Sequence, residues 1–132
     1  MQHGTIRKGE LSKAKKVMKK IFIVEDDDGI RELLETLLEI HQYDVETFGT
    51  ARSFRAGIPG KEPDLFLLDI MLPDGNGLNL CRDLKSNGET SDVPVVLMSA
   101  HADVNHLEGA DDFIPKPFDV EELLKRIEKQ LV

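Results

Sequence analysis

The sequence lacks the features that mark secreted and membrane proteins. It has one cysteine, Cys81, in 132 residues, which excludes an internal disulfide framework and fits a reducing compartment. No apolar run approaches the roughly 20 residues that a membrane-spanning helix needs, and the N-terminus lacks the apolar stretch of a secretory signal. The four histidines form no ligand pattern, and there are no internal repeats. We therefore expect a cytoplasmic protein that does not associate with a membrane.

The composition is that of one acidic domain that follows a basic beginning. A chain of 132 residues, 40% hydrophobic and 32% charged, has the size of a single compact domain. Residues 1–20 hold seven Lys/Arg and one acid, whereas the rest of the chain holds ten Lys/Arg and 24 acids. Such an acidic body argues against nucleic-acid binding through its own surface.

The basic beginning has two interpretations. Met18 followed by two lysines looks like a plausible translation start, so residues 1–17 are interpreted as an N-terminal extension and residues 18–132 as the domain. The alternative is a basic leader that contacts DNA or an acidic partner. The first interpretation is favoured, because Met18 stands where the predicted domain begins.

Strand-like apolar runs alternate with helix-like periodic segments beyond residue 18. Five short runs predict buried strands, at 21–24, 43–48, 65–68, 93–98 and 113–114. Helices are predicted between and after them, beginning near Asp28, Thr50, Gly77 and Asp119. This alternation implies right-handed crossovers and an α/β fold with a doubly wound, five-stranded parallel sheet covered on both faces.

Three of these helices carry specific expectations. The first is predicted to bury its periodic apolar residues, Ile30, Leu33, Leu34, Leu37 and Leu38. The third is predicted to turn inward Leu78, Cys81 and Leu84. The last is predicted to begin with a capping box formed by Asp119 and Glu122.

Polar residues follow four of the predicted strands at the point where each strand ends. They are Glu25-Asp26, Asp69, Ser99 and Lys116. Because the carboxyl ends of parallel strands meet at one edge of a sheet, these side chains are expected in one pocket. Clustered carboxylates repel one another unless a cation lies among them, and a hard divalent metal prefers such oxygens. Asp69 is the carboxylate that could act as a nucleophile.

This constellation resembles the receiver domain of two-component response regulators. The residues that carry the resemblance are Val24-Glu25-Asp26-Asp27 before Ile30-Arg31, Asp69 to Pro73 with Gly77, Met98-Ser99-Ala100, and the run from Gly109 to Phe118. The resemblance covers about residues 18–132. It implies a flavodoxin-like fold with strand order 2-1-3-4-5, similar to a stand-alone chemotaxis regulator.

The resemblance also implies roles at the metal and at the acceptor. Asp69 would be the phosphoacceptor, whose carboxylate becomes an acyl phosphate. Mg²⁺ would be bound by Asp26, Asp69 and the backbone carbonyl of Met71, with Glu25 holding it through water. The domain would then be no enzyme in its own right, because it catalyses only its own phosphotransfer and slow dephosphorylation.

Three further residues would sense the phosphoryl group and pass on the change. Lys116 would neutralise a phosphoryl oxygen, and Ser99 would donate a hydrogen bond to it. Phe113 would move as Ser99 is drawn inward. The implied partners are a sensor histidine kinase or phosphotransfer protein, or a small-molecule donor, and a downstream protein target.

One departure from the family pattern concerns the segment between Ser99 and Lys116. This segment is about five residues shorter than usual, roughly one and a half helical turns. Residues 101–108 are too few for a full amphipathic fourth helix, so we expect a shortened helix of one turn or an irregular loop there.

Two other function classes compete with this interpretation. A phosphohydrolase of the haloacid-dehalogenase type also uses a strand-end aspartate and Mg²⁺, but it needs a second aspartate where this chain has Met71. A flavodoxin-like binder needs a Gly- or Ser/Thr-rich phosphate loop where this chain has Glu25-Asp26-Asp27-Asp28. On purely structural interpretations, Asp27 and Asp28 only favour a helix N-terminus, and Asp69 is only a turn residue.

Overall fold

The computed structural model describes residues 18–100 and 108–132. The predicted extension at 1–17 and nearly all of the predicted short helix at 101–108 lie outside the described residues, so both stay predictions. The described elements are, in chain order, β1 Lys20–Val24, α1 Asp28–Ile40, β2 Asp44–Phe48, α2 Ala51–Gly57, β3 Leu65–Asp69, β4 Met71–Leu72, β5 Gly75–Asn76, α3 Gly77–Ser86, β6 Val95–Ser99, β7 Asp112–Pro115 and α4 Val120–Gln130.

Five of these strands form one parallel sheet in the order β2-β1-β3-β6-β7. This is the predicted order 2-1-3-4-5, because β4 and β5 lie outside the main sheet. They form a separate antiparallel pair in which Met71 faces Asn76 and Leu72 faces Gly75. The doubly wound parallel sheet is therefore confirmed, and the β4–β5 hairpin is an addition to the predicted elements.

Two apolar cores lie on opposite faces of the main sheet, because successive strand residues point to opposite faces. One core takes Phe22 and Phe66 from the central strands and packs them under α2 and α3, where four phenylalanines meet with ring centroids 5.4–6.1 Å apart. The other is aliphatic, takes Ile21 and Ile23, and packs under α1 and α4. Strands buried on both faces read as continuous apolar runs, which is why β1 and β3 could be predicted.

Each helix in the described part begins at a residue whose side chain accepts a hydrogen bond from a backbone N–H of the first turn. The caps are Asp27, Thr50, Asn76 and Asp119. Such caps each stabilise a helix by about 1 kcal/mol. Three of these helices, α1, α2 and α4, follow strands of the main parallel sheet, whereas α3 follows the β4–β5 hairpin.

Three local predictions are wrong, and one buried residue was not predicted. Leu33 is 51% exposed because the inward stripe of α1 is centred on Leu34 and Leu38. Leu80 is buried in α3 but was not among the residues predicted to face inward. The fourth main-sheet strand starts at Val95 rather than residue 93. Glu122 does not complete a capping box but accepts from Arg126 Nε at 2.9 Å.

Among the helices of residues 18–100 and 108–132, none combines the length and the apolar character that crossing a membrane requires.

Candidate functional site

The polar residues predicted to meet do meet, at the carboxyl edge of the main sheet. Glu25 follows β1, Asp69 ends β3, Ser99 ends β6 and Lys116 follows β7. The parallel register pairs Asp69 with Met98 and Ser99 with Pro115, so these strands end at nearly the same level. A backbone hydrogen bond of 2.8 Å from Lys116 N to Ser99 O continues the ladder beyond the last strand pair.

Lys116 bridges two carboxylates within this edge. Its Nζ lies 2.6 Å from Glu25 Oε1 and 3.0 Å from Asp69 Oδ2. The Glu25 side chain is fully buried and that of Asp69 is 5% exposed, whereas Lys116 keeps 15% of its side-chain surface in solvent. Two negative charges and one positive charge therefore share a site from which water is largely excluded.

Burial and pairing act in opposite directions on the charges of this site. Burial raises the pKa of Glu25, although the contact with Lys116 and the hydrogen bond from the Asp27 amide lower it in part. Burial by itself lowers the pKa of Lys116, but its hydrogen bonds to Glu25 and Asp69 outweigh that effect, so the net pKa is raised. Lys116 is therefore firmly protonated, and the ammonium compensates only part of the desolvated negative charge.

A third carboxylate completes a candidate metal centre. Oxygen atoms of Glu25, Asp26 and Asp69 all lie within 4.8 Å of one another, the grouping of possible metal ligands found among residues 18–100 and 108–132. Asp26 is exposed, so the cluster is open to solvent on its side. Carboxylate oxygens are the hard donors that Mg²⁺ prefers, and an ion that keeps several waters suits a partly open site. The residues present therefore fit Mg²⁺.

Arg31 of α1 fastens the acidic loop that carries two of these carboxylates. Its Nη1 donates to the backbone carbonyl of Glu25 at 2.9 Å and to that of Asp26 at 3.4 Å, and its Nη2 lies 2.6 Å from Asp28 Oδ1. Asp27 caps α1 by accepting from Ile30 N at 2.9 Å. Asp27 and Asp28 therefore hold the loop and the helix start, as the structural interpretation of these two acids predicted.

The segment that follows Asp69 is held against it by backbone contacts. Met71 N donates to Asp69 Oδ1 at 3.2 Å, and Gly77 N donates to the carbonyl of Ile70 at 2.8 Å. A Cβ atom at Gly77 would clash with the backbone carbonyl of Asp69, so only glycine permits this approach. Hairpin β4–β5 is thus folded tightly back beside the end of β3.

The two residues predicted as a switch occupy neighbouring strands. Ser99 is 1% exposed at the end of β6. Phe113 lies in β7 opposite Leu97 of β6, is partly buried, and packs against the aromatic core. Its backbone carbonyl accepts from Arg126 Nη1 at 2.8 Å. The structure thus places both residues along the same strand pair, with Phe113 two register steps before the strand end.

Sequence reasoning missed three residues that shape this site. Arg31 belonged to a quoted motif, but nothing local indicated its bonds to backbone carbonyls. Gly77 was predicted as a helix start and belonged to a quoted motif, but its contact with Asp69 was not predicted. Asp74, in the hairpin turn, accepts from the amides of Ala51 and Arg52 at 2.8 and 3.0 Å. The contacts of Asp74 join residues more than 20 positions apart, and neither the periodicity nor the motif spacing of the sequence predicts them.

Comparison with protein families adds an independent finding. Residues 21–128 match the family model described as the response regulator receiver domain. The chain is 40% identical over 118 residues to the transcriptional regulatory protein GltR of Pseudomonas aeruginosa, a match that covers 86% of this chain and 49% of GltR. It is 41% identical over 119 residues to the response regulator ArlR of Staphylococcus saprophyticus, covering 86% of this chain and 53% of ArlR. The chain thus spans about half the length of these curated relatives.

Solved structures of similar shape support the same assignment. A CheY-like receiver domain protein from Methanospirillum hungatei superposes with a TM-score of 0.80 at 30% identity, over 86% of this chain and 94% of that one. The response regulator TrrA of Thermotoga maritima, solved in complex with Mg²⁺–BeF, gives a TM-score of 0.79 at 27% identity, over 86% and 100%. The chemotaxis regulator CheY4 of Vibrio cholerae, at 23% identity and a TM-score of 0.82 over 87% and 100%, shares the fold.

Proposed function

The chain belongs to the response regulator receiver domains, the phosphorylation-based signalling modules of two-component systems, and on that premise we propose that Asp69 is its phosphoacceptor. One observation carries the proposal: Asp69 lies 3.0 Å from a protonated Lys116 and within 4.8 Å of two further carboxylates at the edge of the sheet. A carboxylate held in this way has a cation beside it for the incoming phosphoryl charge and a rigid strand behind it.

The proposed reaction is a transfer of one phosphoryl group. An oxygen of the Asp69 carboxylate attacks the phosphorus of the donor, a new O–P bond forms, and the bond from phosphorus to the donor's leaving group breaks. The leaving group departs with the bonding electron pair. Lys116 releases its contact with Asp69 to meet a phosphoryl oxygen, and it keeps its contact with Glu25.

Asp26, Asp69 and the backbone carbonyl of Met71 would hold Mg²⁺, and Glu25 would hold it through water. When bound, the ion offsets the charge that builds on the phosphoryl oxygens. Support for this set comes from the donor chemistry: three hard carboxylates converge, and burial raises the pKa of Glu25, so the cluster is under-compensated by Lys116 alone. TrrA, a similar structure, was solved with Mg²⁺ and BeF.

We assign Ser99 and Phe113 to the propagation of the signal. Ser99 would donate its hydroxyl to the phosphoryl group, and Phe113, on the adjacent strand, would then repack toward β6. Only a difference in contacts between the two states can shift the population. An NMR comparison of apo and beryllofluoride-bound protein checks this, and an unmoved Phe113 ring on activation would contradict it.

The partners follow the same logic. The donor would be a sensor histidine kinase, a phosphotransfer protein or a small-molecule phosphoryl donor, and the output would be contact with a downstream protein target. GltR is named a transcriptional regulatory protein, but the acidic body of this chain does not favour direct nucleic-acid binding. The chain spans about half of such relatives, so the output stays a proposal.

Incubation with acetyl phosphate and Mg²⁺, followed by intact-mass measurement, tests the central assignment. The wild-type protein should gain the mass of one phosphoryl group, and Asp69→Asn should gain none. Asp83→Asn is a matched control, because Asp83 is an exposed aspartate paired with Arg55 away from the site. Phosphorylation of the Asp69→Asn variant at another residue would overturn the assignment.

A further inference from the structure

Asp74 makes a contact that the proposed reaction does not use. It lies in the turn between β4 and β5, and its two carboxylate oxygens accept separately from the N–H groups of Ala51 and Arg52, at 2.8 and 3.0 Å. Those two residues begin α2. The hydrogen bonds from these amides hold the pKa of Asp74 below its usual range. A charged side chain of the hairpin is therefore bonded to a helix that precedes it by more than 20 residues.

Helix α2 already has a cap of its own. Thr50 Oγ1 accepts from Ser53 N at 3.0 Å, and Ser53 Oγ in turn accepts from Thr50 N at 3.3 Å. The amides of Ala51 and Arg52 are left over from this arrangement, as the first amides of a helix have no partner within it. Asp74 satisfies them from outside, so the contact joins two separate elements.

Both elements joined by Asp74 matter for the position of the site. α2 is anchored by Phe54, which is 1% exposed and packs edge-to-face on Phe48 and Phe66. The hairpin has only two residue pairs and is connected directly to Asp69 through Ile70. Its first residue, Met71, donates its amide to Asp69 Oδ1. A short hairpin of this kind is marginal unless something else holds it.

We propose that Asp74 is a positioning residue, which holds the β4–β5 hairpin against α2 and thereby sets the backbone carbonyl of Met71 and the carboxylate of Asp69 for Mg²⁺. This inference rests on the proposed function, since it takes the Met71 carbonyl as a metal ligand. Groups that orient metal ligands through a single contact typically change affinity about 10- to 100-fold when lost. Asp74 acts one step further away, so a smaller effect is expected.

Mg²⁺ titration of the whole chain, followed by backbone amide NMR, tests the proposal without any phosphoryl donor. We expect Asp74→Ala to raise the Kd for Mg²⁺ about threefold or more relative to wild type. Asp74→Asn keeps one carbonyl oxygen as an acceptor, so its Kd should lie between the two. The amides of Ala51 and Arg52 should exchange with solvent faster in both variants.

Thr50→Ala is the matched control, because it removes a cap from the same end of the same helix and leaves Asp74 in place. A purely structural role for Asp74 predicts equal effects of Thr50→Ala and Asp74→Ala on the Kd. The positioning role predicts that Thr50→Ala binds Mg²⁺ within about twofold of wild type, since it costs only helix stability. Equal shifts in the two variants overturn the proposal.

The remaining outcomes are also decisive. A wild-type Kd in folded Asp74→Ala overturns the inference and leaves the proposed function intact. If Asp74→Ala does not fold, Asp74→Asn decides in the same way. If the wild-type protein binds no Mg²⁺, the metal assignment fails and this inference fails with it. Phosphorylation of the wild type by acetyl phosphate, measured separately, shows whether the acceptor role survives.

Discussion

Two sets of oppositely charged side chains in this molecule have similar contact distances but differ in their exposure to solvent. Lys116 meets Glu25 and Asp69 at the carboxyl edge of the sheet, where the three side chains are 15%, 0% and 5% exposed. Arg55 meets Asp83 at 2.9 Å across α2 and α3, where both side chains are about half exposed, at 52% and 51%. Water screens the second pair and is largely absent from the first.

This difference in solvent exposure shows which of the two charged sites can act strongly on a bound ion or group. The exposed pair of Arg55 and Asp83 gives up hydration to form its contact, so the net gain in folding stability is small. Its loss should therefore change stability little. The charges of Lys116, Glu25 and Asp69 depend on one another, because a charged side chain that loses its partner there stays buried without water to solvate it. A site that waits for a divalent cation and a phosphoryl group needs the second kind of environment.

The largest expected effect comes from removing the shared cation. Lys116→Met leaves Glu25 and Asp69 buried without compensation, and breaking such a pair costs about 3–5 kcal/mol of unfolding free energy. We expect the lower end of that range, because Lys116 is 15% exposed. Urea denaturation in the presence of a chelator measures the loss. Mg²⁺ should restore more stability to this variant than to wild type, and a variant as stable as wild type would contradict the buried-pair interpretation.

The buried thiol of Cys81 gives the next largest effect. Burial raises the pKa of the Cys81 thiol to about 11, against about 8.5 in an unfolded chain. Between these values the unfolded state loses its proton first, so folding stability falls as pH rises, by about 3 kcal/mol in all. Below pH 8 the contribution is fully present.

Comparing wild type with Cys81→Ala isolates this contribution. Urea denaturation from pH 8 to 11 should show a steeper decline for wild type than for the variant. Thiol labelling should be slow in folded protein and fast in urea. Equal slopes for the two proteins would mean that the thiol ionises without unfolding.

A difference in magnitude sharpens the comparison at the buried site. In the wild-type background, Glu25→Gln leaves Lys116 paired with Asp69 and removes a carboxylate whose pKa burial raises, so it should change the unfolding free energy little. In the Lys116→Met background the same change removes an uncompensated buried charge, so it should stabilise by about 1–3 kcal/mol. Urea denaturation of all four proteins in chelator gives the double-mutant cycle. Equal effects in the two backgrounds would argue against electrostatic coupling.

The smallest effect is expected at the exposed pair. A double-mutant cycle of Arg55→Ala and Asp83→Ala should give a coupling energy below about 1 kcal/mol, and added salt should reduce it further. The measurement is again urea denaturation, at low and high salt. A coupling as large as that at Lys116 would remove the distinction between the two regions.

Much of the fold could be predicted because its causes are local. β1 and β3 are apolar on both faces, so they read as unbroken runs, and the caps Thr50 and Asp119 stand directly before their helices. The strand-end positions of Glu25, Asp69, Ser99 and Lys116 follow from where those runs stop. Parallel pairing then requires that the strand ends share one edge. The order of the strands came with the family resemblance.

The sequence by itself therefore determined the strands, most helix starts and the set of polar residues at one edge, because each depends on neighbours within a few positions. Tertiary structure alone decided the rest. It turned Leu33 outward and Leu80 inward, since packing against the sheet selects which part of an apolar arc is buried. It brought Asp74 to the amides of α2 and closed Gly77 onto the carbonyl of Asp69. The contacts of Asp74 join residues more than 20 positions apart, and the contact of Gly77 forms only when the β4–β5 hairpin folds back on β3.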